Sequence, residues 1–179
     1  KKVLVVDVDA TCWESTPPDD QLSEIIEIGL CWLDLESLEP AGKRSILVKP
    51  SQSTVCPFCT QLATLTQAQV DGGVSFQAAC TILRTDLHAQ QFTWASYGNY
   101  DRRQFQRQCQ DENVPYPFGS DHFNVKKLYR TRHRPKRDGL TSAMQNLHLP
   151  MEGTHHRGDD DAWNIARLLA RLLRDDLPN

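Results

Sequence analysis

The chain has 179 residues, of which 39% are hydrophobic and 24% charged, and its net charge is −3. That length supports one domain with its own core, spanning residues 1–179, and the composition excludes a disordered tail. No apolar run approaches the ~20 residues of a membrane span, no charged-then-apolar leader opens the sequence and no internal period is present, so a membrane protein and a repeat array are excluded too.

In chain order, Val3–Val8 is a continuous apolar run, the pattern of a strand buried on both faces. Ser23–Leu35 reads as a longer strand, and Ser45–Lys49 as a third that ends at Pro50. Short helical turns follow around Phe58–Gln69, and Ser75 caps a helix running to about His88. Phe92–Ser96 is a fourth strand. Asp101–Asn113 is a helix closed by Pro115, and His122–Val125 is a short fifth strand leading into a basic helix stopped by Pro135. Thr141–Leu147 and residues 159–174 complete the helices. Strands first, then strands mixed with helices, indicate an α/β fold with a mixed sheet.

The net charge hides an asymmetry. Residues 126–137 (KKLYRTRHRPKR) hold seven Lys or Arg and no acid, so the other thirteen bases face 23 acids and the rest of the chain carries −10. A solvated helix and loop account for such a strip, as does contact with a polyanion. Six cysteines include one CxxC, Cys56-Pro57-Phe58-Cys59, with no second pair to complete a zinc site. They read as small buried thiols in a reducing, cytoplasmic setting.

Chemistry concentrates in acids. Asp7 and Asp9 lie two apart at the end of the first strand, so their carboxylates share a face at the carboxyl edge of the sheet, where α/β ligand sites lie. Two anions so placed repel unless a cation sits between them, and an all-oxygen set suits Mg²⁺ or Mn²⁺. The competing reading is a simple strand end. In the last helix, helical phase puts Asp160 with Asn164, Arg167, Arg171 and Arg174, and Asp161 with Ile165, Leu168, Leu169 and Leu172. Asp161 therefore heads the buried face, where an acid is costly unless paired or metal-bound. His156, five residues earlier, is a candidate general base. Asp101 follows the fourth strand through Tyr97-Gly98-Asn99-Tyr100 at a helix start, where an acid is also favourable against the helix dipole.

Together these residues resemble the DEDDh exonucleases, a ribonuclease H-like family that includes RNase T and proofreading subunits, and within it the Eri-type RNA-trimming branch. Asp7-Val8-Asp9-Ala10-Thr11-Cys12-Trp13-Glu14 looks like that branch's first motif, Glu24–Gly29 like its second strand, and Phe58–Leu62 with Leu65–Val70 like the turns that follow. Ser96–Asp101 is similar to its second acidic motif and His156–Asp161 to its HxxxxD. The resemblance implies a five-stranded mixed sheet flanked by helices. It implies stepwise release of nucleoside 5′-monophosphates from the 3′ end of a single strand, RNA favoured over DNA, with two Mg²⁺ or Mn²⁺ ions. Asp7 would bridge the ions, Asp9 and Asp161 would hold one, Asp101 would support the other, and His156 would take a proton from water. Ala10, Thr11, Cys12 and Trp13 would line the terminal-nucleotide pocket, with Trp13 placed to stack a base, and Lys126, Lys127 and Arg130 would meet the strand's phosphates.

The sequence departs from the family at Asp9, where the pattern has Glu, one C–C bond (about 1.5 Å) longer. That change creates two rivals. Strand-DVDAT fits the opening of haloacid-dehalogenase-type phosphatases, with Asp7 as nucleophile, Asp9 as general acid, Lys126 or Lys127 as lysine and Gly158-Asp159-Asp160 as acidic motif. A degenerate nuclease that binds RNA ends without cutting is the other.

Overall fold

The computed structural model describes residues 1–178. Strands β1 (Lys2–Ala10), β2 (Ile25–Asp34), β3 (Pro40–Leu47), β4 (Trp94–Ser96) and β5 (His122–Asn124) form one sheet in the order β3-β2-β1-β4-β5. β1 is central, antiparallel to β2 and parallel to β4, and β4 is parallel to β5. The helices are α1 (Pro57–Ala63), α2 (Gln67–Asp71), α3 (Phe76–Thr81), α4 (Tyr100–Glu112), α5 (Val125–His133), α6 (Leu140–Asn146) and α7 (Gly158–Arg174). No described helix is long and apolar enough to cross a membrane.

Burial of β1 on both faces follows from its run of valines and leucine. Val3 and Val5 pack with Tyr129, Met144, Ile165, Leu168 and Leu172 beneath α5, α6 and α7. Leu4, Val6 and Val8 pack with Phe76, Leu83, Trp94 and Phe105 beneath α3 and α4. Each fully buried aliphatic side chain contributes about 1.5–3 kcal/mol relative to exposure. Alternation then fixes the site: Asp7 and Asp9 continue the Val3/Val5 face, toward α7.

Three sequence expectations shift. β3 starts at Pro40 rather than Ser45, because an edge strand facing water can carry polar residues such as Lys43 and Arg44 that show no apolar alternation. It ends at Leu47, and Val48 instead bridges Val74. Ser75 caps α3 by accepting from the Ala78 amide (3.0 Å), but the helix widens after Thr81 into a π-turn over Ile82–Asp86, closed by Leu87 N–H donating to the Ile82 carbonyl. A 3-10 turn over Ala89–Gln91 then delivers the chain to β4.

Candidate active site

β1 delivers Asp7 and Asp9, the start of α4 delivers Asp101 and the start of α7 delivers Asp161. The pairing of β1 with β4 ends at Val5↔Ala95, so the Val8 amide has no partner strand on that side. Asp101 accepts it instead (2.9 Å), 93 residues away in sequence, which pins α4's first turn to the end of β1. Asp101 and Asp161 are almost fully buried. Asp161 Oδ1 accepts from His155 Nδ1 (2.8 Å) and Oδ2 from the His156 amide (3.0 Å). The two imidazoles stack 3.9 Å apart, and ligand atoms of His155, His156 and Asp161 lie within 4.8 Å of one another. That turn is held by a left-handed His156 backbone (φ +71°), which costs a residue with a Cβ roughly 1–2 kcal/mol.

The carboxylates disturb one another. Burial, then the charges of Asp101, Asp9 and Asp161, push the Asp7 carboxyl well above the usual range. Burial, then Glu27, Asp161 and Asp101, push Asp9 up to about 8. Burial pushes Asp101 to about 7 and raises Asp161, which His155 and His156 partly offset. Asp9 Oδ2 is buried and has no hydrogen-bond partner among the described residues. Mutually repelling carboxylates with an orphaned oxygen form a hard, all-oxygen donor set, and that set fits Mg²⁺ or Mn²⁺.

Several supporting residues were not among the candidates the sequence singled out. Glu27, fully buried and opposite Asp9 in the β1–β2 register, accepts from Arg157 Nη2 (2.9 Å), Ser45 Oγ (2.8 Å) and the Gly158 amide. It thereby anchors the α7 N-terminus, which carries Asp161, to the sheet. The approach is so close that a Cβ on Gly158 would lie 2.8 Å from Glu27 Oε1, and one on Gly29 would overlap the Gly158 backbone. Glu24 organises the opposite rim. Its carboxylate accepts from the amides of Ser51, Gln52 and Ser53 and from the Ser51 and Ser53 hydroxyls. These bonds outweigh burial and lower its pKa. Both acids lie in the Glu24–Gly29 stretch that resembles the family's second strand, a likeness that attaches no role to either.

The remaining candidates divide. Thr11 is fully buried, its hydroxyl bonded to Ser53 Oγ (2.9 Å) and the Glu24 amide (2.8 Å), so its side chain holds the rim together and does not line a nucleotide pocket as expected. Ala10 is also buried, its carbonyl accepting from Cys59 Sγ. Cys12 and Trp13 are half-buried on the loop leaving β1. On α5, Lys126 and Arg130 pair with Asp138 (3.7 and 3.3 Å), while Arg132 is tied to Asp176 and the Leu172 carbonyl. The basic strip is therefore partly neutralised: Lys127, Arg134, Lys136 and Arg137 have no ion pair among the described residues. Asp160, the acid a phosphatase site would need, turns to Lys43 and the Thr154 amide instead of the cluster. All six cysteines are unbridged.

The chain is similar to known exonucleases. A family model described as Exonuclease (RNase T) matches residues 4–169. The chain is 32% identical to rat 3′-5′ exoribonuclease 1 over 97% of its length and 29% identical to the human protein over the same share. It spans about half the length of these relatives, 53% and 52%. The nuclease domain of 3′hExo, a DEDDh family member solved bound to rAMP, superposes with a TM-score of 0.88 at 27% identity, covering 98% of this chain and 92% of that one. The family model covers nearly the whole sheet-and-helix unit described above, and the chain belongs to the RNase T exonuclease family.

Proposed function

We propose that the chain is a divalent-metal-dependent exonuclease that shortens single-stranded RNA from its 3′ end and releases nucleoside 5′-monophosphates. The observation that carries this reading is that carboxylates from three elements come near enough for Asp9, Asp101 and Asp161 all to raise the pKa of Asp7, while Asp9 Oδ2 is buried without a partner. Asp7, Asp9 and Asp161 would hold one Mg²⁺ or Mn²⁺, and Asp7 with Asp101 a second. When bound, such a pair neutralises charge on the attacking and leaving oxygens and lowers the pKa of water. The protein's own groups do the rest. The Val8 amide and the Glu27–Arg157 pair hold Asp101 and the α7 start in place. His156 takes the proton of the attacking water at its ring nitrogen. The half-buried Cys12–Trp13 loop receives the terminal nucleotide, and Lys127 meets a phosphate. A reducing, cytoplasmic setting belongs to the same reading.

With Mg²⁺ or Mn²⁺, 5′-labelled single-stranded RNA is expected to shorten one nucleotide at a time, and a blocked 3′ end to stop the reaction. Inorganic phosphate released from an aryl phosphate with the RNA intact would support the phosphatase instead. Metal-independent RNA binding without turnover would support the degenerate binder.

Asp9→Glu tests the departure from the family pattern. The longer side chain reaches about 1.5 Å further toward its ligand, and kcat at fixed Mg²⁺ is expected to rise by up to about tenfold, which corresponds to ~1.4 kcal/mol in the barrier. An unchanged or lower kcat would mean that the surrounding site is already built around Asp.

A further inference from the structure

Beside the carboxylates, a cleft of about 450 Å³ opens between the start of α4 and α5, a size typical of small-ligand sites. It is lined by Asn99, Arg102, His122, Phe123 and Lys127, among others, and no acid contributes to its wall. Asn99 and Arg102 stand on either side of Asp101 at the start of α4, so one wall of the cleft is the same turn that carries an acid of the cluster. Asn124 joins the two walls, its Oδ1 accepting from the Gly98 amide (3.1 Å) and the Lys127 amide (3.0 Å).

The charge in the cleft comes from two residues. Arg102 and Lys127 have no ion pair among the described residues, and Arg102 Nε is buried without a hydrogen-bond partner. His122 adds none. Ser96 Oγ donates to the Gly98 carbonyl (3.0 Å), so at its 2.7 Å contact with His122 Nε2 it is the acceptor. This makes Nε2 the protonated nitrogen of a neutral ring, and burial together with Arg102 lowers that ring's pKa to about 4. Phe123 stands on the edge strand β5 with 37% of its surface exposed, an aromatic face next to two unpaired cations. Exposed aromatics interleaved with Lys and Arg are the pattern that binds single-stranded nucleic acid, bases stacking while cations meet phosphates.

We propose that this cleft is a second nucleotide subsite, which holds a base and phosphate of the single strand beyond the two nucleotides that flank the bond being cut, with Phe123 under the base and Arg102 and Lys127 on the phosphate. It rests on the nuclease reading for the direction of the strand. A strand that follows the cleft leaves the acidic centre along its one basic wall, so the negative body need not repel the rest of the substrate.

The test compares a 5′-fluorescein 12-nucleotide RNA with a dinucleotide, whose single linkage is engaged at the carboxylates. Binding of the 12-mer is measured by anisotropy in EDTA across salt, and turnover of the dinucleotide in Mg²⁺. In Arg102→Gln/Phe123→Ala, the 12-mer's Kd is expected to rise about tenfold or more, and the slope of log K against log salt to become shallower by about 0.7 for the lost phosphate contact. Dinucleotide turnover is expected to be unchanged, and Arg102→Lys to keep the slope. A 12-mer Kd within twofold of wild type would overturn the proposal, as would equal loss on both substrates. Wild-type protein that binds the 12-mer through this cleft but cleaves neither substrate would overturn the nuclease reading and leave the subsite standing.

Discussion

Asp7→Asn is expected to lower the rate of 3′-end shortening by about 10³-fold or more and, in EDTA, to raise the melting temperature. Both effects have one cause. Asp7 lies at the centre of the cluster, with Asp9, Asp101 and Asp161 all raising its pKa. An amide keeps its shape but removes the negative charge a divalent ion needs, and loss of a group acting as part of a catalytic unit costs rate on this scale. The same charge burdens the metal-free fold. An acid whose folded pKa is raised binds more protons when folded than when unfolded, so stability falls as pH rises between the two values and is flat above the higher one. For Asp9 and Asp101 that window runs from the model-peptide value of 3.8 to about 8 and about 7. Metal-free wild-type protein is therefore expected to lose stability from about pH 4 to pH 8 and to regain it on addition of Mg²⁺ or Mn²⁺. Asp7→Asn should show a shallower pH dependence and a smaller metal response. A variant that lost both activity and melting temperature would show that Asp7 serves the fold and not an ion.

His156→Ala is expected to reduce kcat about 10²–10⁴-fold, the range of a general base, whereas His155→Ala reduces it far less. The geometry separates the two rings. His155 spends Nδ1 on Asp161 Oδ1 and so orients a carboxylate. The His156 ring makes no hydrogen bond among the described residues, and only its backbone amide is tied down, to Asp161 Oδ2. Burial, and then the neighbouring His155, lower the His156 pKa, so its ring is neutral and able to accept a proton at pH 7. The acid limb of kcat/KM should accordingly fall below pH 6.5 in wild type, shift in His155→Ala and disappear in His156→Ala. The opposite order of severity would transfer the base role to His155. Either outcome leaves Asp161 as the partner acid, because Asp160 is held by Lys43 on the other side of the helix.

What was legible in the sequence is what a regular backbone makes local. A strand's two-residue repeat put Asp7 and Asp9 on one face, and a helix's 3.6-residue repeat separated Asp161 from Asp160, without reference to any other segment. The continuous valine run placed β1 inside the sheet for the same reason. The polar edge strand β3 was read late because its residues answer to water and carry no repeat.

Tertiary structure decided the rest, because hydrogen bonds and charge pairs between distant segments depend on register and angle, which residue spacing does not encode. Asp101 joins the cluster through a β1 amide, that of Val8, beyond the reach of β4. Glu27 faces Asp9 only in the observed β1–β2 register, and its bonds to Arg157 and Gly158 exist because two glycines let helix and strand nearly touch. Thr11 shows the converse: the family resemblance pointed to a ligand pocket, but the fold took its hydroxyl for Ser53 and Glu24. The basic strip was visible as a run of letters, yet only the packing of α5 shows that Asp138 and Asp176 neutralise three of its cations and that Lys127 meets Arg102 across an acid-free cleft. Composition counted the charges, and their partners follow from where the chain brings them in space.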